Sequence, residues 1–308
     1  MPLLTGRFSL ALVLVLAAAP AAADYRLEKR LELAPGGRFI LSSAIGQVSV
    51  TGDGADGAQI VLTTTLDQKE LEDHYDVRFE QSAGLAKLAI ERRGGWLGGV
   101  FGGDWFRGQK ARIEVHVPRQ TAVELTTSGG SIQALSLDGK VEVVSSGGRV
   151  EVREVRGEVT VGSSGGGVEI REVEGPVNAE SSGGSVELER VSGEIRAESS
   201  GGGVHVRGAG GRVEASSSGG SVEVSFAAGN GDGGEISSSG GGVQVEVDPA
   251  VGLSIDASSS GGSVHCDLPV TVQGRIGRDS LHGRLNGGGA TLRLRSSGGG
   301  VRLASLSD

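Results

Sequence analysis

Apolar and polar residues alternate in short runs along most of this chain. Glu151 separates Val150 from Val152, Glu169 separates Val168 from Ile170, Glu187 separates Val186 from Leu188, and His205 separates Val204 from Val206. Each run follows a Ser-Ser-Gly-Gly phrase. A single apolar residue comes next, at Val155, Val173, Val191 and Ala209, and then a glycine at Gly157, Gly175, Gly193 and Gly211. A second, shorter alternation closes each unit: Val159/Val161, Val177/Ala179, Ile195/Ala197 and Val213/Ala215. Period-two alternation of β-branched residues between glycines predicts short strands, and the 3.6-residue helical period is missing. Each unit therefore holds two short strands and two tight corners, with a third short segment near Val155.

The units recur at fixed spacing. The second residue of the Ser-Ser or Thr-Ser pair falls at Ser128, Ser146, Ser164, Ser182, Ser200 and Ser218, in steps of 18 residues. It returns at Ser239 and Ser260 in steps of 21, and then at Ser297, 37 residues on. The stretch "GRLNGGGATLRL", Gly283 to Leu294, leaves room for one degenerate unit between them. Roughly five apolar side chains per unit cannot offset the ordering of 18 backbones in isolation. Stacked units can, because each strand then bonds to the coils above and below and the valines pile into one core. The chain is thus expected to be all-β, a single-stranded β-solenoid or β-helix of ~18-residue coils, right-handed, with neighbouring coils ~4.8 Å apart. A β-sandwich does not require an exact 18-residue period.

The segment before the regular repeat is less uniform. Residues 1–23 read as a secretory signal, with Arg7 as the basic region, "LALVLVLAAA" as the apolar region and cleavage after Ala23. Residues 24–120 read as a β-rich region covering one end of a solenoid that occupies 121–308, since an open stack end invites aggregation. Within it, Leu41–Gly52 resembles a degenerate coil, Asp76–Arg93 a hairpin, Asp67–Asp76 a charged helix or loop, and Ala111–Arg119 a strand.

Composition narrows the function. The net charge of −9 and the absence of long basic runs disfavour nucleic acid and anionic membranes as partners. No later segment of the mature chain is long and apolar enough to span a bilayer, so a periplasmic or secreted protein is expected. Cys266 is the only cysteine; it occupies a position where other units carry Val or Leu, and no internal disulfide is possible.

The recurrent glycines lead into strands rather than helices, and no Lys-Ser/Thr follows them, which excludes a phosphate loop. Calcium-binding nonapeptides carry an Asp where this chain has Ser131, Arg149, Gly167, Ser185, Gly203 and Ser221. Glycine at the corners is expected to supply a left-handed φ, and serine a hydroxyl bonded to backbone. Glu151, Glu169, Glu187, His205, Glu223, Gln244 and His265 form one column, relieved by Arg153, Arg171, Arg190, Arg196 and Arg207. Such stacked carboxylates meet glycosidase spacing without any sign of a cleft. His205 and His265 lie three coils apart, about 14 Å, too far to share a metal. No cofactor and no catalytic constellation is legible, so a non-enzyme is expected. The distinctive non-repetitive stretch is "GGWLGGVFGGDWFRGQK", Gly94 to Lys110. Its Trp96, Phe101, Trp105 and Phe106 read either as a lid on the stack or as a contact surface for an envelope protein or glycan.

The order of these features resembles a known group: an export signal, "SSAIGQVSVTG", strands, "VHVPR", then "LTTSGGSIQAL" and serial Ser-Ser-Gly-Gly coils. It is similar to the bacterial putative-adhesin family of exported β-strand-repeat proteins, a domain of unknown function. The resemblance covers the mature chain. It implies a scaffold or adhesin-like binding module at the cell envelope and carries over no catalytic residue. A polysaccharide-binding or polysaccharide-active β-helix is the alternative. Members of the family commonly carry Ser-Gly-Asp before the first valine; this chain has Gly, Ser or Arg there, which argues further against cation binding.

Overall fold

The structure is a computed structural model describing residues 25–93, 111–272 and 277–306. Two long sheets face each other, a front sheet of 13 strands and a back sheet of 14. Each central coil contributes one strand to each. In one coil Val186–Val191 lies in the front sheet and Ile195–Ser199 in the back sheet. Its neighbours pair in parallel and in strict register: Val168, Val186 and Val204 stack in front, and Val177, Ile195 and Val213 behind. Valines alternate inward at 0–3% exposure along the whole stack, forming one core cluster from Leu31 to Leu303. The predicted all-β solenoid is the observed architecture.

The expected third segment near Val155 is the tail of the front strand. Val152 and Val155 both point inward with two residues between them, so the strand must bend. The bend is made at Glu154, whose φ is +54°; Ser136, Glu172, Arg190 and Gly208 hold the same conformation one coil apart. A left-handed residue reverses the pleat once and returns the next apolar side chain to the core.

The glycine pairs at the serine corners work differently from the expectation. Gly148 and Gly166 do not have positive φ. Their requirement is steric: a Cβ on Gly166 would lie 2.1 Å from the Gly148 carbonyl oxygen of the coil below. The corners stack backbone on backbone, leaving no room for a side chain. The serines do bond the backbone, and the two of each phrase divide the labour. The first is buried, as at Ser199; its hydroxyl accepts from the Gly202 N–H at 3.0 Å and donates to the Gly184 carbonyl of the preceding coil at 2.9 Å. The second, as at Ser200, is exposed.

Near both ends of the stack the spatial order departs from chain order. The coil Arg38–Ser43/Gln47–Gly52 sits between the coil Leu85–Arg92/Ala111–Val117 and the coil Ala122–Thr127/Ile132–Leu137. At the other end, Ala290–Ser296/Val301–Ser305 is inserted between Gly234–Ser238/Val243–Val247 and Leu253–Ser259/Val264–Cys266. The phrase at Ser297 therefore follows Ser239 in space, and Ser260 comes after it. The stretch Gly283–Leu294 is not a degenerate coil. It is the end of an antiparallel strand, Ser280–Leu285, a turn, and the start of the inserted coil.

Antiparallel pairing appears at both ends: Tyr25–Leu31 and Ala58–Thr64 in the front sheet and Tyr75–Ser82 in the back sheet at one, and Ser280–Leu285 and Thr271–Val272 in the back sheet at the other, where the front sheet ends on the parallel strand Val264–Cys266. The charged segment is a short helix, Gln68–His74, started by a capping box in which Asp67 and Glu70 each accept from the other's backbone N–H. The described part of 24–120 thus caps the stack and also supplies two of its coils, and no break in the core falls at residue 120.

Candidate functional site

The outward positions of the front sheet form a continuous column. Glu151, Glu169, Glu187, His205, Glu223 and Gln244 are register partners in turn. Arg302, on the inserted coil, stands between Gln244 and His265. His205 and His265 are thus four coils apart rather than three, about 19 Å by strand spacing. A second column runs beside the first through Arg153, Arg171, Glu189, Arg207, Ser225 and Glu246.

The lower part of this face is closed by ion pairs. Arg153 lies 2.5 Å from Glu151 and 3.2 Å from Glu169. Arg171 bridges Glu169 at 3.0 Å and Glu189 at 3.4 Å. Arg190 reaches Glu172 at 2.5 Å and also pairs with Glu189. Relief of the stacked carboxylates by Arg153, Arg171 and Arg190 is as the sequence suggested. Arg196 does not take part, because it lies on the back sheet with Glu198 at 2.7 Å. Arg207 does not either; it has no ion-pair partner among the described residues.

From Glu187 upward the face changes character. The side chains of Glu187, Arg207, Gln244 and Glu246 make no hydrogen bond or ion pair among the described residues. His205 touches Glu223 at 3.3 Å, and His265 and Arg302 converge on Asp267 at 2.7 and 3.0 Å. The Arg302 guanidinium, with help from His265, holds the Asp267 carboxyl below the usual carboxylate range. Three adjoining depressions lie over this part of the face, and Glu223 lines all three. The largest, about 330 Å³, extends over Gln244, His265 and Arg302 and is walled by the corner residues Ser221 and Ser263. The result is an open polar groove with hydrogen-bonding groups at every coil. The repeat made its positions legible; which groups are left unpaired depends on rotamers and on the inserted coil, for which the sequence carries no signal.

Trp96, Phe101, Trp105 and Phe106 lie outside the described residues, as does the predicted signal. Cys266 is half-buried on a front strand in register with Leu303, and burial pushes its thiol above the usual range, against a reactive thiolate. Among the described residues no three His, Cys, Asp or Glu side chains converge on a point that could hold a metal ion.

The profile of the family described as Toastrack DUF4097 matches residues 41–303, nearly the whole stack. The chain belongs to the Toastrack family. Its similarity to solved structures is low in sequence identity. A putative adhesin from Bacteroides fragilis NCTC 9343 shares 12% identity over 92% of this chain and 99% of its own, with a TM-score of 0.45. A putative adhesin from Parabacteroides distasonis ATCC 8503 shares 12% over 92% and 98%, at 0.42. A putative lipid binding protein from the same organism shares 13% over 92% and 97%, at 0.37. No curated protein matches this Toastrack chain. Among its described residues no helix is long and apolar enough to cross a membrane.

Proposed function

We propose that this Toastrack chain is an exported, non-enzymatic binding scaffold of the cell envelope, and that it holds a hydroxyl-rich polymer, a glycan, along the front-sheet groove centred on Glu223. One observation carries the reading: the same face whose ion pairs reach up to Glu189 presents uncommitted Glu187 on that same strand and uncommitted Arg207, Gln244 and Glu246 on the coils above. A face serving only solubility gains nothing from changing character midway. Groups at a coil spacing of ~4.8 Å suit a ligand that also repeats. Each contact made in exchange for water is weak, and a polymer adds them along its length. The side chains that project into the groove are carboxylate, guanidinium, amide and imidazole groups, with valines between them and no Phe, Tyr or Trp, which favours hydrogen-bonded sugar hydroxyls over an apolar ligand.

The test is co-sedimentation of the exported protein with insoluble cell-wall and exopolysaccharide preparations. The triple variant Glu187→Gln, Arg207→Ser, Gln244→Ala is expected to lose most of the bound fraction. A parallel variant with Trp96, Phe101, Trp105 and Phe106 changed to Ser is expected to keep it. Loss in the second variant alone moves the contact to the aromatic segment Gly94 to Lys110, and release of soluble sugar by the wild type replaces the scaffold with an enzyme. Export is read separately, by whether the mature protein starts at Asp24.

A further inference from the structure

The inserted coil, Ala290–Ser296 with Val301–Ser305, has an alternative location. It separates two coils that are consecutive in the chain and that match each other as well as they match it. Val243 and Val264 both register on Val301, and Ser238 and Ser259 both register on Ser296. The serine clamp also fits on either side: Ser296 donates to the Gly241 carbonyl, and Ser259 to the Gly299 carbonyl. The slot therefore accepts any coil carrying the Ser-Ser-Gly-Gly-x-Val pattern in this register. Its own occupant is delivered by a tight turn in which Asn286, Gly287 and Gly288 all have positive φ, at 47°, 83° and 93°. Asn286 holds that turn closed by donating to the Pro249 and Val251 carbonyls at 2.6 and 3.0 Å.

We infer that the slot is an interaction site whose partner is a second copy of this chain, each copy supplying the inserted coil of the other. Every strand pair of the monomer is regained in such an exchange, and only the turn at 286–289 must open. Opening it gives up two Asn286 hydrogen bonds and a conformation that asparagine tolerates, a small cost, and exchange of an identical element between copies is a low-cost route to dimers.

The experiment places cysteines on the register partners Glu246 and Ala304, whose strands lie one coil spacing apart, within disulfide reach. Two tagged full-length chains, both Cys266→Ser, are produced together, one with Glu246→Cys and the other with Ala304→Cys, and oxidised mildly after purification. Exchange gives a covalent dimer carrying both tags, doubling the mass on a non-reducing gel. A double variant on a single chain, unfolded and refolded at rising protein concentration, should shift from an intrachain to an interchain crosslink, and Asn286→Ala should bring that shift to lower concentration. Purely intrachain crosslinks at every concentration, or co-produced chains that associate without crosslinking, overturn the inference. The groove reading is independent of this result, because Glu187, Arg207 and Gln244 keep their places in either form.

Discussion

Adjacent serines in one phrase should respond oppositely to the same substitution. Ser199 is 4% exposed, and its hydroxyl is the partner of both the Gly202 N–H and the Gly184 carbonyl. In Ser199→Ala the methyl fills nearly the same space, so packing is little changed and the loss is that of two hydrogen bonds. Leaving two backbone groups unsatisfied costs about 1–3 kcal/mol each when water is excluded. Both glycines are only half-buried at the corner, so water recovers part of this, and about 2–4 kcal/mol is expected for the pair. Ser200→Ala removes an exposed hydroxyl with no partner among the described residues and should stay within about 0.5 kcal/mol of wild type. Urea unfolding followed by the β-sheet circular dichroism signal measures both, and amide hydrogen exchange at Gly202 locates the effect. Faster exchange there is expected in Ser199→Ala alone. If the two variants unfold at the same urea concentration, the first serine is not a clamp and the reasoning about the corner is wrong.

Other consequences follow from the same geometry. Gly166→Ala drives a methyl group into the Gly148 carbonyl and should cost at least about 3 kcal/mol, whereas Gly162→Ala, with nothing within 4 Å of the added carbon, should stabilise the strand by about 0.5–1 kcal/mol; thermal melts distinguish them. Glu154→Gly relieves a left-handed residue and should raise the melting temperature by the equivalent of about 0.5–1 kcal/mol, while Gly208→Ala, at φ +67°, should lower it by about 1 kcal/mol. Hydrogen bonds from Arg295, and also Arg293, hold the Asp256 carboxyl below the usual carboxylate range. A carboxyl depressed below its unfolded value near ~3.9 adds stability above that pH, and the contribution is lost as pH falls through the folded pKa. Asp256→Asn should therefore melt lower than wild type at neutral pH, with the gap closing below about pH 4; a gap that persists unchanged into acid refutes the assignment.

The middle of the fold was legible because one signal repeated. Val186, Leu188, Val191, Ile195 and Ala197 announce their inward direction by spacing alone, and the stack makes each unit confirm the next. The left-handed bend was not legible, since Glu154, Glu172 and Arg190 are residues that avoid that conformation and only the burial of Val155 beside Val152 reveals it. The glycines of the serine corners are legible in position but not in cause: what they avoid is a neighbour in the next coil, which single-chain turn rules do not contain, whereas Gly157 and Gly175 at the other corner do take positive φ. Chain order failed at both ends because alternation and the serine phrase are satisfied equally by either neighbour. The groove fell between these cases, its column legible and its vacant partners set by side-chain conformation.

The intercalated coils and antiparallel finishing strands have a consequence for how such a molecule changes size. The strands at both ends depart from the 18-residue unit, whereas the units between Ser146 and Ser200 stack on one another in strict register. Length can therefore change from within. Duplication of one 18-residue unit between Ser146 and Ser200 would leave both terminal assemblies intact and move them apart by ~4.8 Å. The molecule is in that sense an adjustable ruler with fixed end-stops, whose reach is set by the number of identical divisions in its middle.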